Sequence, residues 1–474
     1  MITERVAAAT PCRRRWPGLA ALLLGEAMNL LDATVVQVAA PAVHADLGGP
    51  VSDVQWFGAA YTLPFAVLLI TGGRLGDIAG RRRMFVLGVT VFTAASVACA
   101  LAPSPGLLIA FRAVQGAAAA LIIPQTIGLI KAMFSGEETA KALGSIGPVM
   151  GLAAVCGPVV GGVLTHADLF GSSWRSAFLV NVPVAAVVLA LARNLPENRA
   201  PHRPALDWPG TALAALGTGL LVYPLIGGDL RQLPVHDWLL LGTGLLVLTG
   251  FARHQRRTGR PLVEPSLFTH RGFPAALVTS TAFFAVTNGL TVVVVLQLQL
   301  DAGTGVLASG LSLLPWSAGL ALASWWAGSR LVRRYGRRVM PYGLGVLLAG
   351  LLAAVAAYRT TTPGHYPVAL LPALALVGLG AGLFTPAFFT LALRPLRPHE
   401  VGSAAGLLNA VQQLGATLGV AVLGSVYLAG KGLGASQAAC WVAVALLAVA
   451  WAASGRVGAG EGAAATARRG RGRG

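Results

Sequence analysis

Apolar runs of about twenty residues recur along the whole chain, and this repetition limits the possible folds more than any other feature. The runs extend from Leu19 to Trp451, and a helix of that length crosses a hydrocarbon layer of ~30 Å. Only α-helices and closed β-barrels satisfy backbone polar groups inside a membrane, and the runs lack the alternation of barrel strands. The sequence therefore predicts an all-α polytopic membrane protein.

The composition supports the same class but leaves one question open. Hydrophobic residues make up 55% of the chain and charged residues 11%, whereas soluble domains carry roughly 25% charged residues. The formal net charge is +18, which in a soluble protein would indicate a nucleic-acid partner. The positions of the basic residues decide how this charge is interpreted.

Lysines and arginines fall almost entirely on one side of a topology with fourteen transmembrane helices. With the N-terminus inside, thirty of the 35 lie in inside segments, four lie in outside loops, and Arg112 lies within a span. This asymmetry is the positive-inside pattern of membrane proteins. We therefore expect a multi-pass protein of the cell membrane with both termini cytoplasmic, surrounded by the lipid bilayer, and no nucleic-acid partner. The predicted spans are 18–40, 55–75, 84–102, 106–130, 142–164, 176–193, 208–227, 237–252, 273–298, 307–328, 339–357, 366–392, 402–428 and 435–454.

The chain also repeats itself. The connector Arg74–Arg82, after the second span, has an echo at Arg330–Arg338, 256 residues later. The repeat predicts two six-helix bundles related by a pseudo-two-fold axis, with two extra central helices between them. The predicted divisions are a cytoplasmic N-terminal segment 1–17, an N-terminal bundle 18–195, a linker with the two extra helices 196–260, a C-terminal bundle 261–454 and a disordered cytoplasmic tail 455–474.

Signatures of an enzyme or a cofactor site are missing from the sequence. The four cysteines show no metal-ligand spacing, the eight histidines are scattered, and no GxxxxGK[ST] nucleotide loop occurs. We therefore expect no catalytic residues, no metal and no cofactor. Any transport would have to draw on an ion gradient.

The connector between the second and third spans combines glycines, one carboxylate and arginines. Gly73, Gly76 and Gly80 allow close approach of the backbone, while Asp77 stands among inside arginines such as Arg81. The simpler interpretation is a solvated loop whose arginines only orient the protein. That interpretation does not explain the glycines or the carboxylate.

Ionisable residues inside the spans are few. On a helical wheel Glu26, Asn29, Asp32 and Gln37 of the first span share an arc of roughly 140°. An ionisable group at membrane depth costs at least ~2.5–3.5 kcal/mol, so it should face the bundle interior or a water-filled cavity. We expect Asp32, with Glu26, to carry protons and Arg112 to tune both carboxylates. The alternative is a structural ion pair with no proton traffic.

Six stretches of the chain form a recognisable set of motifs. They are Leu31 to Val36 with Ala40-Pro41, Gly73 to Arg82, Arg112 to Gly116, Gly157 to Gly162, Trp174-Arg175 with Asn181 to Pro183, and Ala405 to Gly415. In this order they resemble the motifs of the fourteen-helix drug:proton antiporter branch of the major facilitator superfamily, and the resemblance covers about residues 19–430. The sequence departs from that branch at Gln37, where the branch usually has Asn, at Ala153, which replaces a usual glycine, and at Arg333, which stands opposite Asp77 in the second-half repeat.

The resemblance implies roles for several of these residues. The connector would act as a conformational latch, in which Asp77 docks against the N-terminal end of a second-half helix. The antiporter motif, Gly157, Pro158, Gly161 and Gly162, would seal the cavity against proton leak. Its simpler interpretation is a contact between small residues. The latch residues are Gly73, Gly76, Asp77, Gly80 and Arg81.

Polar residues on several spans are candidates for a largely apolar substrate cavity. They could instead join helices to one another by hydrogen bonds. The set is Tyr61, Gln115, Asn288, Gln297, Trp316, Asn409, Gln412 and Gln413.

The sequence thus predicts a monomer that exports small amphipathic or drug-like compounds in exchange for protons by alternating access. A proton symporter or importer of a small metabolite is one alternative, against which the GPxxGG stretch argues. A non-transporting membrane sensor or scaffold on the same fold is the other. A channel would need a filter or rings of charge, and none is visible.

Overall fold

The computed structural model describes residues 15–168, 171–199, 205–226, 234–259, 261–270, 272–397, 400–430 and 432–457. Within these ranges the chain is helical throughout and contains no strand. The predicted segments 1–17 and 455–474 lie mostly outside them. Backbone N–H and C=O groups pair with each other within these helices, as a membrane requires.

The helices are numbered in chain order. The first eight are α1 (Arg15–Leu47), α2 (Asp53–Ala79), α3 (Arg81–Ala100), α4 (Pro105–Met133), α5 (Glu137–Gly144), α6 (Ile146–Ala167), α7 (Ser176–Leu179) and α8 (Asn181–Ala192). Two follow in the middle of the chain, α9 (Trp208–Val222) and α10 (Val235–Arg257). The last eight are α11 (Gly272–Leu296), α12 (Val306–Ser312), α13 (Leu314–Trp326), α14 (Val332–Tyr335), α15 (Val339–Thr360), α16 (Leu370–Leu393), α17 (Val401–Leu428) and α18 (Gly432–Ser454).

Twelve helical segments of the described chain are long and apolar enough to cross a membrane. One of them, Val306–Thr360, has 55 residues, far more than the ~20 that one crossing needs. Helix α9 is apolar but has only 15 residues. The multi-pass helical fold is therefore confirmed, whereas the number fourteen stays a prediction.

Close approach of backbones holds the N-terminal helices together. A side chain on Gly116 of α4 would overlap the carbonyl group of Tyr61 in α2, and one on Gly72 would overlap that of Ala120. Small residues let membrane helices pack this tightly. The same device recurs in the C-terminal helices, where Gly419 of α17 lies against the backbone of Ala285 in α11.

Two seams join the N-terminal helices to the C-terminal ones. In the first, α2 runs beside α17, and the hydroxyl oxygens of Thr62 and Thr417 are 2.6 Å apart. In the second, α6 meets α12, where Gly162 lies against the backbone of Leu307. We call the face of the protein on which Gly80 lies, between α2 and α3, the connector side.

The extra helices α9 and α10 pack on each other, and α9 also packs on α2. On the connector side the hydroxyls of Thr71 and Thr211 are 3.0 Å apart. At the far end the Ser425 hydroxyl of α17 donates to the Leu225 carbonyl at 2.6 Å. The extra pair therefore touches both helices of the first seam.

Candidate functional site

Asp32 and Arg112 form an ion pair in the interior of the N-terminal helices. Arg112 Nη1 lies 2.5 Å from Asp32 Oδ2, and the two side chains are 1% and 0% exposed. The other carboxylate oxygen accepts hydrogen bonds from Gln115 Nε2 and Asn181 Nδ2, each at 2.8 Å. A buried charge is tolerated only when it is paired and hydrogen-bonded, and both conditions are met here.

Arg112 makes further hydrogen bonds besides the ion pair. Its Nε donates to the Phe57 carbonyl at 2.9 Å, and Nη1 donates to Gln115 Oε1 at 2.7 Å. The guanidinium lies 4.3 Å from the ring centre of Tyr61, within reach of a cation–π interaction. Arg112 is thus fixed by α1, α2 and α4 at once, which keeps the charge in place.

Two members of this cluster were not predicted as site residues. Ser96 Oγ accepts from Gln115 Nε2 at 3.0 Å and from Asn181 Nδ2 at 2.8 Å. Asn181, the first residue of α8, belongs to one of the motifs that carry the family resemblance. That motif was the sequence signal from which Asn181 could have been predicted as a site residue. Ser96 lies in an apolar run of α3, where one serine has no distinguishing context.

Glu26 lies apart from this ion pair. Its side chain is 8% exposed and lies near Thr126 of α4. No cationic side chain among the described residues pairs with it. Glu26 and Asp32 of α1 therefore have different surroundings: Asp32 is neutralised in place, whereas Glu26 has no counter-ion among the described residues.

The connector glycines do allow close packing. A side chain on Gly76 would overlap the Gln125 amide, which donates to the Gly72 carbonyl at 2.9 Å. Gly80 has a φ of 114°, a conformation that favours glycine. Asp77 pairs with Arg81 at 2.5 Å and makes no hydrogen bond or ion pair to C-terminal helices in the described chain. Its docking there, and the latch, stay predictions.

Arg74, the first residue of the connector, binds the linkers that flank the extra helices. Its guanidinium donates to the carbonyls of Ala205 and Pro261. Asp207, two residues after Ala205, accepts from Gln255 Nε2 at 2.7 Å and lies 2.8 Å from His254 Nε2. The base of the α9–α10 pair is therefore a polar cluster centred on one buried carboxylate.

We expect Asp207→Asn to lower stability by about 1–3 kcal/mol, because buried donors would lose their acceptor. Burial alone would raise the pKa of Asp207, but hydrogen bonds from His254, Gly210 and Gln255 outweigh it and hold the pKa below its usual value. The carboxylate therefore stabilises the fold fully above the ordinary pKa of ~3.9 and loses this effect as the pH falls through the lower native value. Thermal unfolding should show the variant less stable than the parent at every pH from 8 to 5. A difference that shrinks as the pH falls through 6 would contradict this account.

The antiporter-motif glycines lie in two helix contacts. A side chain on Gly157 would overlap the Thr34 hydroxyl of α1, and one on Gly161 would press on the backbone of Val35. On the other face of α6, a side chain on Gly310 of α12 would overlap the Pro158 carbonyl. The motif thus brings α6 against α1, close to Asp32, and against the C-terminal helices.

The predicted cavity residues do not lie together. Tyr61 and Gln115 belong to the Arg112 cluster, Trp316 is buried in α13, and Gln297 is buried with neither amide atom hydrogen-bonded. Asn288 lines a small pocket between α1, α2, α11 and α17. Asn409, Gln412 and Gln413 are half-buried on α17. Contact of any of them with substrate stays a prediction.

Together, these features define a multi-pass helical membrane protein with a buried ion pair inside its N-terminal helices. Comparison with known proteins also identifies a membrane transporter. The Major Facilitator Superfamily model matches residues 22–420. A probable actinorhodin transporter of Streptomyces coelicolor is 45% identical over 90% of this chain and 74% of its own length. A puromycin resistance protein of Streptomyces alboniger is 36% identical over 89% of this chain and 84% of its own length.

Solved structures agree on the fold. A crystal structure of the peptide transporter POT with sulfate has a TM-score of 0.69 at 16% identity, covering 97% of this chain and 99% of that one. An inward-facing bacterial homologue of the lysosomal transporter Spinster has a TM-score of 0.67 at 19% identity, covering 95% and 98%. The chain belongs to the major facilitator superfamily, as its motifs predicted, and this is a family of transporters rather than of enzymes.

Proposed function

We propose that this protein exports small amphipathic compounds in exchange for protons. The observation that carries the proposal is the Asp32–Arg112 ion pair, buried among the N-terminal helices. Its carboxylate lies on α1, the helix whose Thr34 and Val35 contact the Gly157–Gly162 motif. An ionisable group at that depth is costly and marks proton or substrate pathways. Similarity to a probable actinorhodin transporter and to a puromycin resistance protein supports export rather than uptake.

In the proposed mechanism, proton occupancy of the helix-one carboxylates biases the two halves between inward-open and outward-open states. Protonation of Asp32 would remove one partner of the pair with Arg112 and loosen the contacts among α1, α4 and α8. Glu26, on the same helix, would be a second proton site. A bias of a few kcal/mol is enough to shift such an equilibrium.

We further propose a membrane topology for this transporter. The chain crosses the membrane fourteen times, with the connector side and both termini in the cytoplasm. It works as a monomer without a cofactor, and its two six-helix bundles flank the extra pair α9–α10. The 55-residue segment would then supply two crossings and α9 a short one.

The decisive experiment is transport in proteoliposomes with an imposed pH gradient. We expect gradient-dependent movement of at least one of three probes: tetraphenylphosphonium, puromycin and 1,8-dihydroxyanthraquinone. Exchange against the proton flux indicates antiport, and movement with it indicates the symporter alternative. Absence of movement of all three, from protein shown to be folded, would favour a sensor or scaffold.

The antiporter motif offers a separate test. We expect Gly157→Val to increase proton leak through the protein, because the added side chain would push α6 away from Thr34 of α1. Leak is measured as collapse of a pH gradient in proteoliposomes without substrate. Gly147→Val on the same helix is the matched control, since a side chain there meets nothing within 4 Å. Equal leak from both variants would show that the motif has no sealing role.

A further inference from the structure

The second connector, Arg330–Arg338, repeats the first one but lacks its acid. Arg333 stands where the first connector has Asp77, whose carboxylate pairs with Arg81 at 2.5 Å. Within the described ranges, no arginine of the second connector forms an ion pair with a carboxylate. The second connector therefore carries positive charge that its own neighbours do not neutralise.

The arginines of this connector are exposed and use few of their donors. Arg333 donates twice to the Ser329 carbonyl, at 2.7 and 3.0 Å, and Arg337 donates to the Gly455 carbonyl at 2.6 Å. A guanidinium has five N–H donors, so most donors have no partner in the described part of the chain. The bond to Gly455 also brings the exposed end of α18 beside the connector. We call these exposed arginines the second-connector cluster: Arg330, Arg333, Arg334, Arg337, Arg338 and Arg456.

Exposed aromatic side chains flank the second-connector cluster. Trp325 and Trp326, at the end of α13, are 66% and 52% exposed, and Tyr342 of α15 is 64% exposed. Tryptophan and tyrosine concentrate at the boundary between membrane and water. Arg330 follows Trp326 by four residues, about 6 Å along a helix axis, which places its guanidinium at the level of lipid headgroups. The matching positions of the first repeat hold aliphatic residues.

Charge and aromatic groups together favour one kind of occupant. The chain's own tail has the wrong sign, because beyond Val457 the sequence holds four further arginines and one carboxylate, Glu461. A soluble polyanion would match the arginines but leave the tryptophans without a partner. An anionic phospholipid matches both, since its headgroup is charged and its acyl chains are apolar.

We propose that the second-connector cluster binds a phospholipid with two phosphate groups, which the guanidinium groups hold while Trp325 and Trp326 contact its acyl chains. Arginine recognises phosphate through paired hydrogen bonds. Two phosphates on one molecule suit adjacent arginines better than one phosphate does, because the second contact forms within a lipid that is already bound. The site is independent of the proposed transport, since it uses neither the helix-one carboxylates nor the antiporter motif.

The test is native mass spectrometry of the full chain in detergent, titrated with cardiolipin, phosphatidylglycerol or phosphatidylethanolamine. At equal phosphate concentration we expect cardiolipin to bind at least about tenfold tighter than phosphatidylglycerol, and phosphatidylethanolamine to bind weakest. Arg333→Asp restores the acid of the first connector and should weaken cardiolipin binding about tenfold or more, because each arginine near an anionic headgroup contributes about fivefold. The triple variant Arg330→Gln/Arg333→Gln/Arg334→Gln should do the same.

A matched control removes the same charge elsewhere. The triple variant Arg253→Gln/Arg256→Gln/Arg257→Gln changes exposed arginines at the end of α10, where the sequence has no neighbouring tryptophan or tyrosine. It should leave cardiolipin binding nearly unchanged.

Thermal unfolding gives a second readout and checks that the variants fold. Cardiolipin should raise the unfolding temperature of the parent and of the control, but not that of the two second-connector variants. Equal losses of binding in the two triple variants would overturn the site, because they would reflect general attraction to basic residues. Phosphatidylglycerol bound as tightly as cardiolipin would overturn the requirement for two phosphates. Inorganic pyrophosphate bound as tightly as cardiolipin would overturn the lipid as occupant.

Discussion

Arg112→Met is expected to destabilise the protein by about 3–5 kcal/mol, because it leaves the Asp32 carboxylate buried without its counter-ion. The lost partners include the ion pair at 2.5 Å and the hydrogen bond to the Phe57 carbonyl at 2.9 Å. Thermal unfolding of the purified protein, followed by intrinsic fluorescence, measures the effect.

A matched control is available on the surface. Arg175 pairs with Asp46 at 2.8 Å, but the two side chains are 33% and 49% exposed. Exposed pairs contribute only about 0–1 kcal/mol, so Arg175→Met should hardly shift the unfolding temperature. Equal shifts for the two variants would mean that burial of the Asp32–Arg112 pair does not matter energetically.

Asp32→Asn is expected to abolish transport driven by a pH gradient, since the amide cannot take up and release a proton. This variant also leaves Arg112 without its counter-charge, so lost transport alone could reflect poor folding. The double variant Asp32→Asn/Arg112→Gln separates the two effects. It removes both charges and should be more stable than either single variant, because no unpaired ion remains buried.

The double variant should nevertheless fail to couple transport to the gradient. Coupling is measured in proteoliposomes as probe movement with and without an imposed pH difference, normalised to folded protein. If stability and gradient-driven transport recover together, Asp32 is a structural partner of Arg112 and another group carries the proton. Glu26→Gln, at the carboxylate with no cationic partner in the described chain, then becomes the variant to measure.

The fold class could be predicted from the sequence because a membrane permits only helices and closed barrels to cross it. Runs of apolar residues predict helices, and the asymmetry of arginines predicts their direction. The number of crossings is harder to count: α9 is shorter than a usual span, and the apolar segment Val306–Thr360, with 55 residues, contains α12 to α15. Local hydropathy does not determine where such a stretch turns back.

Part of the candidate site could also be predicted, because charged residues are rare inside membrane spans. Asp32 and Arg112 stand out as charges in apolar runs, and the structure places them together. The contacts of Ser96 and the orientation of the Tyr61 side chain depend on how α2, α3 and α4 rotate against one another. Backbone contacts at Gly72 and Gly116 set the packing of α2 against α4. Sequence spacing along one helix carries no information on that rotation.

The Ser425–Leu225 hydrogen bond ties the extra helices to α17, while Thr71–Thr211 and Arg74 tie them to α2. If α2 and α17 separate at their far ends during a transport cycle, the pair α9–α10 can follow only one of them. The pair would move together with the N-terminal helices, and its hydrogen bond to α17 would break at each opening. The inserted pair would then set part of the activation barrier, and with it the turnover rate, without touching substrate or proton.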